Sequence, residues 1–451
     1  MVLLRSGLVF VAEMVAVVAG LAAAGMGWAA VAQEVPALTE RQLPGLVTMY
    51  EGLHEHPELS QQEAKTSALL AEELRKAGYT VTERVGRYAD GMQAYGVVGI
   101  LKNGAGPTLL VRTDMDALPV EEKTGLPYAS KVRTKNPAGQ EVPVMHACGH
   151  DVHVTTMVGV ARNLVALKDR WHGTVMLVGQ PAEETISGAE AMMRDRLFER
   201  FGRPDMEIAL HDWQFAAGTV AVTPGYALAS STGVDVTMRG IGSHASAPNA
   251  GKDPVVMSAE FIVALQTVVS RSTPPQSPAV LTVGDIQGGT KRNIIPDEVK
   301  MELNFRAFDD EVRKTLMEGI ERTAKGVAIA AGVPESRMPM VKQVEYAPAM
   351  YNNPELSERL LTLFEAKLGK DKVSVGKPAM ASEDFGFFSE EKKIPAVMFF
   401  VGALDPMMVE ESRKTGTALP TPHSPLFAPV PEPTLRTSVT AMTDAVMMLL
   451  P

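Results

Sequence analysis

Cysteine and histidine side chains cluster near residue 148 of the 451-residue sequence. Cys148 is the only cysteine; His146 and His150 each lie two residues from it, and His153 follows closely. Thiolate and imidazole are the ligands that zinc and other borderline divalent ions prefer. The spacing therefore predicts a metal site. The alternative is that the histidines only cap or pack one face of a helix.

Carboxylates and imidazoles also follow apolar segments of strand length. The segments PTLLVRT, GTVMLVG and MEIAL are each followed at once by acidic or histidine residues, and AVMFFV is followed further along by a histidine between two prolines. In an open parallel sheet, sites form beyond the carboxyl ends of the strands. We therefore expect these side chains to meet the cysteine cluster at one sheet edge. They are Asp114, Asp116, Glu183, Glu184, His211 and His423.

The adjacent pair Glu183 and Glu184 could divide two tasks. One carboxylate could bind a metal while the other takes a proton from a water that the metal activates. Two neighbouring glutamates are also common at a solvated helix start. Here they follow a continuous apolar strand and a Gln-Pro turn, which favours the functional interpretation.

Apolar segments alternate with helical patterns through the first half of the chain. Continuous buried strands separated by helices predict an α/β fold with a mostly parallel sheet. A similar strand appears only near the C-terminus, so we expect the sheet to use both ends of the chain. The predicted strands are Tyr95–Leu101, Pro107–Thr113, Gly173–Gly179, Met206–Leu210 and Ala396–Val401, with a helix at Val152–Leu167.

The middle of the sequence predicts a separate unit with the order β-α-β-β-α-β, a ferredoxin-like α+β arrangement. Its predicted elements are Thr232–Arg239, Asp253–Arg271, Ala279–Ile286, Glu298–Ala307, Asp309–Ala331 and Met340–Tyr346. We therefore predict an inserted domain at 228–345. The α/β domain would then comprise 33–227 and 346–451.

The N-terminal segment 1–32 predicts a signal peptide. Its apolar stretch ends in Ala30-Val31-Ala32, an A-x-A cleavage pattern before Gln33. Export to the periplasm or medium follows from this interpretation. An uncleaved membrane anchor is the alternative, and Met14 is an alternative translation start. No later segment is predicted to span a membrane.

The net charge and the cysteine content argue against two classes of protein, nucleic-acid binders and disulfide-stabilised proteins. Lys plus Arg number 43 against 53 Asp plus Glu, giving a net charge of −10. A nucleic-acid binder normally needs a basic face, so no nucleic-acid partner is predicted. One cysteine excludes an intramolecular disulfide framework.

Several motifs together resemble the M20 metallopeptidase-like amidohydrolases. In chain order they are HEHPELS, DMDALP, MHACGHDVH, the Glu-Glu pair, LH after a strand, GSHAS, NIIP, ASEDF and PHSP. The subfamily that the sequence resembles comprises hippurate hydrolases, N-acyl-amino-acid deacylases and plant auxin-conjugate hydrolases. The resemblance covers about residues 40 to 450, and it implies a metallohydrolase domain with an inserted dimerisation or lid domain.

The resemblance implies two divalent metal ions, with zinc or manganese first and cobalt or nickel as alternatives. Glu183 would be the general base and then the general acid. The peptidase branches carry a His-x-Asp motif where this chain has Asp114-Met115-Asp116, so Asp116 is expected to support a neighbouring ligand. The implied ligands are Cys148, with a bridging thiolate, His150, Glu184, His211 and His423.

The inserted unit carries three further candidates. By resemblance, His244 in GSHAS reaches the active site of a partner subunit and polarises the scissile carbonyl, which requires a homodimer. Asn293 and Arg306 resemble residues that hold the free carboxylate of the substrate, and Arg offers a bidentate fork for a carboxylate. From sequence alone, His244 could equally be a solvated loop residue and Arg306 a surface strand residue.

The predicted function is hydrolysis of the amide bond of N-acyl amino acids by an exported, metal-dependent enzyme. One alternative is an exported dipeptidase or carboxypeptidase on the same scaffold. A more remote alternative is a metal-binding protein without turnover. Acyl-group and side-chain specificity do not follow from the sequence.

Overall fold

A computed structural model describes residues 34–389 and 393–451. The predicted signal peptide at 1–32 lies outside these residues. The helices are α1 (34–55), α2 (Ala64–Ala77), α3 (His150–Ala166), α4 (Gly188–Arg194), α5 (Leu197–Phe201), α6 (Pro254–Thr267), α7 (Asp310–Ala330), α8 (Pro354–Leu368), α9 (Pro406–Thr415) and α10 (Pro431–Leu449).

The strands build one large sheet, one four-stranded sheet and three small two-stranded pairings. In chain order they are β1 (Thr80–Arg87), β2 (Gln93–Asn103), β3 (Thr108–Asp114), β4 (Arg133–Lys135), β5 (Glu141–Pro143), β6 (Gly173–Gln180), β7 (Met206–Ala216), β8 (Val220–Val222), β9 (Gly225–Leu228), β10 (Ser230–Arg239), β11 (Ser243–His244), β12 (Ala279–Gly288), β13 (Ile294–Ile295), β14 (Glu298–Ala307), β15 (Met340–Ala347), β16 (Met350–Asn352), β17 (Val373–Val375) and β18 (Ala396–Leu404).

The large sheet has the order β1-β2-β6-β3-β7-β18-β8-β17. Its central strands β6, β3, β7 and β18 pair in parallel, whereas β1 and β2 add an antiparallel edge. The C-terminal strand β18 lies between β7 and β8. The predicted α/β fold, with a mostly parallel sheet drawn from both ends of the chain, is confirmed.

Apolar layers cover both faces of this sheet. One layer joins α1, α2, α3, α8 and α10 to the strands, and the other contains α4, α5 and a short turn at Asp384–Phe387. Helix α3 is buried along nearly all of its length, because it packs on α10 as well as on the sheet. Burial on both faces explains why the central strands read as continuous apolar segments.

The chain between β9 and β16 forms the four-stranded antiparallel sheet, with the order β12-β14-β10-β15. Helices α6 and α7 pack on it around a core that includes Phe261, Phe305 and Leu316. The element order β10-α6-β12-β14-α7-β15 is the predicted βαββαβ order. The domain limits 228 and 345 stay predictions; the sheet itself runs from Ser230 to Ala347.

Two sequence predictions differ from the structure. Strand β7 continues to Ala216, so His211 lies within a strand and not after it. The helical segment Pro254–Ser272 is long and apolar enough to span a membrane, so the prediction that no later segment could do so was wrong by length and composition. Met257, Phe261 and Leu265 of this segment lie in the core of the inserted unit.

Candidate metal centre

The cysteine loop enters helix α3 through a tight turn at Gly149. Gly149 has φ +81°, and a Cβ there would lie 2.3 Å from the carboxylate oxygens of Asp212. Only glycine fits both the left-handed backbone and this close approach. The turn places Cys148 just before the helix and His150 in its first turn. Gly149 therefore prevents the helix from extending back through the cysteine loop. The same turn brings the side chains of Cys148 and His150 to the edge of the sheet.

The five predicted metal ligands lie close together. The Sγ atom of Cys148 is 3.5 Å from Nε2 of His211, and Nε2 of His150 is 3.8 Å from Oε1 of Glu184. Oε2 of Glu184 is 3.4 Å from Nε2 of His423. Ligand atoms of Cys148, Glu184 and His423 all lie within 4.8 Å of one another. The candidate ligand atoms thus come from strand β7, from the start of helix α3 and from two loops.

The donor atoms fit a divalent cation. Both ring nitrogens of His150 and Oε1 of Glu184 are buried and have no hydrogen-bond partner among residues 34–389 and 393–451. Buried polar atoms without partners are costly, and a bound cation removes that cost. Sulfur, nitrogen and oxygen donors together suit zinc, manganese, cobalt or nickel. His146 is also buried, but it joins none of the ligand groups found in the described residues.

His423 reaches the site from a strained loop position. Its backbone is left-handed, with φ 68°, which is uncommon for a non-glycine residue. Its backbone N–H donates to the carbonyl oxygen of Ala147 at 2.7 Å, next to Cys148. Strained residues of this kind concentrate at functional sites. This hydrogen bond joins the loop that carries His423 to the loop that carries Cys148.

Asp116 holds the turn that carries the two glutamates. Its two carboxylate oxygens accept hydrogen bonds at 3.0 Å from the backbone N–H groups of Glu183 and Glu184. Ser60 donates a further hydrogen bond at 2.6 Å, and Nδ1 of His150 is 3.5 Å away. Asp116 therefore orients a turn and a neighbouring imidazole, and it belongs to none of the ligand groups found.

Buried titratable side chains pack directly behind the candidate ligands. His153 places Nδ1 at 2.5 Å from Asp114 and Nε2 at 3.1 Å from Asp212. Burial lowers the pKa of His153, but the two carboxylates outweigh it and raise that pKa to about 9. The ring of His153 lies 4.6 Å from that of His211, measured between centroids. His153 therefore links Asp114 and Asp212 directly behind the candidate ligands.

Sequence reasoning missed Arg112, which lies buried near the carboxyl end of β3. Its guanidinium donates to Gln180 at 2.8 Å and Asp114 at 2.5 Å, and it pairs with Glu383 at 2.7 Å and Asp384 at 3.3 Å. Burial opposes its charge, but the surrounding carboxylates raise its pKa. Two signals were available in the sequence: a charge inside the apolar segment PTLLVRT, and the acidic pair in ASEDF.

Glu183 lies in a cavity of about 460 Å³ beside the ligand cluster. Burial, followed by the negative charges of Glu383 and Glu184, holds the pKa of its carboxyl well above the usual range. Cys148, Glu184, His211 and His423 line the same cavity. The buried carboxyl of Glu183 therefore shares one cavity with four of the candidate metal ligands.

Arg306 lines this cavity, but His244 and Asn293 do not. Arg306 comes from β14 of the inserted unit, and its Nε donates to Asn304 at 2.9 Å. His244 is exposed on β11, where its Nδ1 lies 2.6 Å from the hydroxyl of Ser246. Asn293 is also exposed, and its backbone carbonyl oxygen accepts a hydrogen bond from the backbone N–H of Ala245. Within one chain, these two residues lie together and away from the ligand cluster.

The fold and the site define a metal-dependent hydrolase. Residues 110–412 match the peptidase family M20/M25/M40, and the chain belongs to this family. It is similar to a solved dinuclear metal binding peptidase of the M20 family from Bacillus subtilis, with 27% identity, a TM-score of 0.71 and coverage of 92% of this chain and 99% of that one.

Curated relatives narrow the activity. The chain is 38% identical to the hippurate hydrolase of Campylobacter jejuni, over 76% of this chain and 84% of that protein. It is 35% identical to an N-acetyl-L-cysteine deacetylase of Bacillus subtilis, over 80% of each. The protein is therefore a metal-dependent amidohydrolase, and the predicted family is confirmed.

Proposed function

We propose that this protein is an exported enzyme that hydrolyses the amide bond of N-acyl amino acids with two divalent metal ions, zinc or manganese. The observation that carries the proposal is one cavity lined by four of the five candidate ligands, the buried carboxyl of Glu183 and the guanidinium of Arg306. A cavity of this kind can bind a small substrate at both its carbonyl and its carboxylate.

The ions would be held by Cys148, His150, Glu184, His211 and His423. Bound divalent ions supply positive charge that polarises the substrate carbonyl and acidifies the attacking water. Asp116 orients the turn that carries Glu184, through its hydrogen bonds with the backbone N–H groups of Glu183 and Glu184.

Glu183 moves the proton. Its carboxylate takes a proton from the attacking water while the water oxygen bonds to the amide carbon. It then gives that proton to the amide nitrogen as the C–N bond breaks, so the products are a carboxylic acid and an amino acid. A pKa raised by burial and nearby carboxylates suits both steps, because the group must accept and release a proton near neutral pH.

Arg306 supports the choice of an amino acid as the leaving group. Its side chain is half-buried, lines the cavity and keeps donors beyond its bond to Asn304. A guanidinium binds a carboxylate through two parallel hydrogen bonds. In the proposed homodimer, Asn293 of one chain adds to this contact and His244 stabilises the carbonyl oxygen in the partner's site, where one good donor contributes about 3 kcal/mol.

Substitution of Glu183 tests the chemistry. Glu183→Gln should abolish hydrolysis of N-acetyl and N-benzoyl amino acids while metal content stays that of the wild type. Glu190→Gln, on the exposed surface of α4, is the matched control and should retain full activity. Full activity of the Glu183 variant would end the mechanistic proposal. Hydrolysis of free dipeptides in preference to N-acyl amino acids would instead favour the dipeptidase alternative.

Export rests on the A-x-A pattern alone. N-terminal sequencing of protein recovered from the periplasm or medium should begin at Gln33. An intact N-terminus in the membrane fraction would favour the uncleaved anchor, and recovery from the cytoplasm alone would contradict export.

A further inference from the structure

A second cavity of about 480 Å³ lies beside the catalytic cavity. The two cavities share Trp213, Leu228 and Phe400 in their walls. The rings of Trp213 and Phe400 pack edge to face, 5.5 Å apart between centroids. The ring of His211 lies 5.9 Å from Trp213 and 6.3 Å from Phe400. The second cavity thus begins directly behind a candidate metal ligand.

The second cavity lies between the end of the large sheet and the chain at 371–379. Strand β17 pairs with β8 so that Ser374 lies opposite Ala221, and both residues line the cavity. Most other wall residues are apolar or small, among them Phe215, Ala227 and Val409. The charged side chains are exposed ones at the rim, namely Asp371, Lys372 and Lys377. The interior therefore suits an uncharged, apolar group with an outer end near water.

We propose that this second cavity binds the apolar acyl group of the substrate. The proposal rests on the proposed function, because that function places the amino-acid carboxylate at Arg306 in the catalytic cavity. An N-acyl amino acid carries its acyl group on the other side of the scissile carbonyl. Trp213 and Phe400 line both cavities, so the two cavities adjoin at an apolar wall beside the metal cluster.

The volume defines the substrate class. A cavity of about 480 Å³ lies within the range of small-molecule sites, roughly 300–1,000 Å³. It has room for a medium-length alkanoyl or an aromatic acyl group in addition to the amino acid held in the catalytic cavity. The enzyme should therefore prefer N-octanoyl and N-benzoyl amino acids over N-acetyl amino acids. Each buried methylene should raise kcat/KM by about three- to fourfold.

The test measures kcat/KM for N-acetyl, N-butanoyl, N-hexanoyl and N-octanoyl forms of one amino acid. In Ser374→Phe, the added ring should fill the cavity next to Ala221. The ratio of octanoyl to acetyl kcat/KM should then fall at least tenfold. Val375→Phe is the matched control, because Val375 points to the opposite side of β17, is 65% exposed and does not line the cavity. Its ratio should equal that of the wild type.

A second filling variant, Val409→Trp on α9, tests the same cavity from another element. Both filling variants should unfold at the wild-type temperature. If Ser374→Phe does not fold, Val409→Trp decides the outcome. A wild type that shows no rise with acyl length, or filling variants that leave the ratio unchanged, would overturn the acyl-pocket proposal alone. Absence of hydrolysis for every N-acyl amino acid would overturn the proposed function as well.

Discussion

Arg112 and Glu383 form a buried ion pair at 2.7 Å between residues 271 positions apart in the chain. Arg112 lies in β3, whereas Glu383 follows the inserted unit and lines the catalytic cavity. The pair therefore fastens the two parts of the α/β domain to each other at the edge of the site.

Removal of the Arg112 charge should destabilise the fold strongly. Arg112→Met leaves Asp114, Glu383 and Asp384 without their cation, and breaking a buried pair in this way costs about 3–5 kcal/mol of the free energy of unfolding. Urea denaturation measures the loss. Arg133→Met removes an exposed pair with Glu141 and should change stability by less than about 1 kcal/mol. Equal effects of the two substitutions would contradict the structural role of Arg112.

His54 should make stability depend on pH in the alkaline range. Burial lowers the pKa of His54, but hydrogen bonds with Asp151 at 2.7 Å and Glu122 at 3.2 Å outweigh it and raise that pKa to about 10, from an ordinary 6.5. The rings of Tyr50 and Tyr128 also face the imidazole. Because the folded-state pKa is raised, the stabilisation is complete below pH 6.5 and is lost as pH rises through 10.

The measurement compares wild type with His54→Gln. The difference in the free energy of unfolding should be largest near pH 6 and should shrink steadily towards pH 10. His56→Gln, at an exposed position two residues along, is the surface control. A difference that grows with pH would show that the imidazole is neutral in the folded protein.

Loss of one ligand should lower metal content. His423→Gln removes the imidazole beside Glu184 and should leave the purified protein with fewer bound ions per chain than wild type, as measured by elemental analysis. Added zinc or manganese should also raise the melting temperature of wild type above its value with chelator. The free energy of unfolding should rise by about 2.7 kcal/mol when the free ion is at 100 times its Kd. His172→Gln, at an exposed histidine, is the control. Equal metal content in both variants would remove His423 from the ligand set.

The proposed use of His244 across a dimer makes a prediction about hybrids. Glu183→Gln and His244→Ala should each abolish most activity in a pure homodimer. In a hybrid of the two variants, one site combines an intact Glu183 with the intact His244 of the other chain, so activity should return to about half that of wild type.

Hybrids can be isolated by co-production of chains with different affinity tags. Inactive hybrids would indicate that both residues serve the same chain. Full activity of the His244→Ala homodimer would indicate that this histidine takes no part in the reaction.

The convergence of the candidate side chains was predictable because parallel strands end at one edge, and residues after PTLLVRT and GTVMLVG could be placed there from sequence; the particular ligand set came from the family resemblance and stays a prediction. Arg112 was not, because a charge within an apolar segment does not reveal partners as distant as Glu383. The sequence left open whether His244 is an exposed loop residue, and it did not reveal the exposed position of Asn293, which depends on the β11–β13 pairing in a loop region. The short strands β8 and β17 were missed because three residues carry too little periodicity.

The position of β18 between β7 and β8 also governs the order in which the protein can be made and folded. During translation, β7 and β8 leave the ribosome long before residues 396–404 exist. Until then, both strands present open edges, which attract other chains and promote aggregation. A chain interrupted anywhere before residue 396 therefore lacks the strand between β7 and β8, and chaperone binding to nascent chains should be concentrated on that gap.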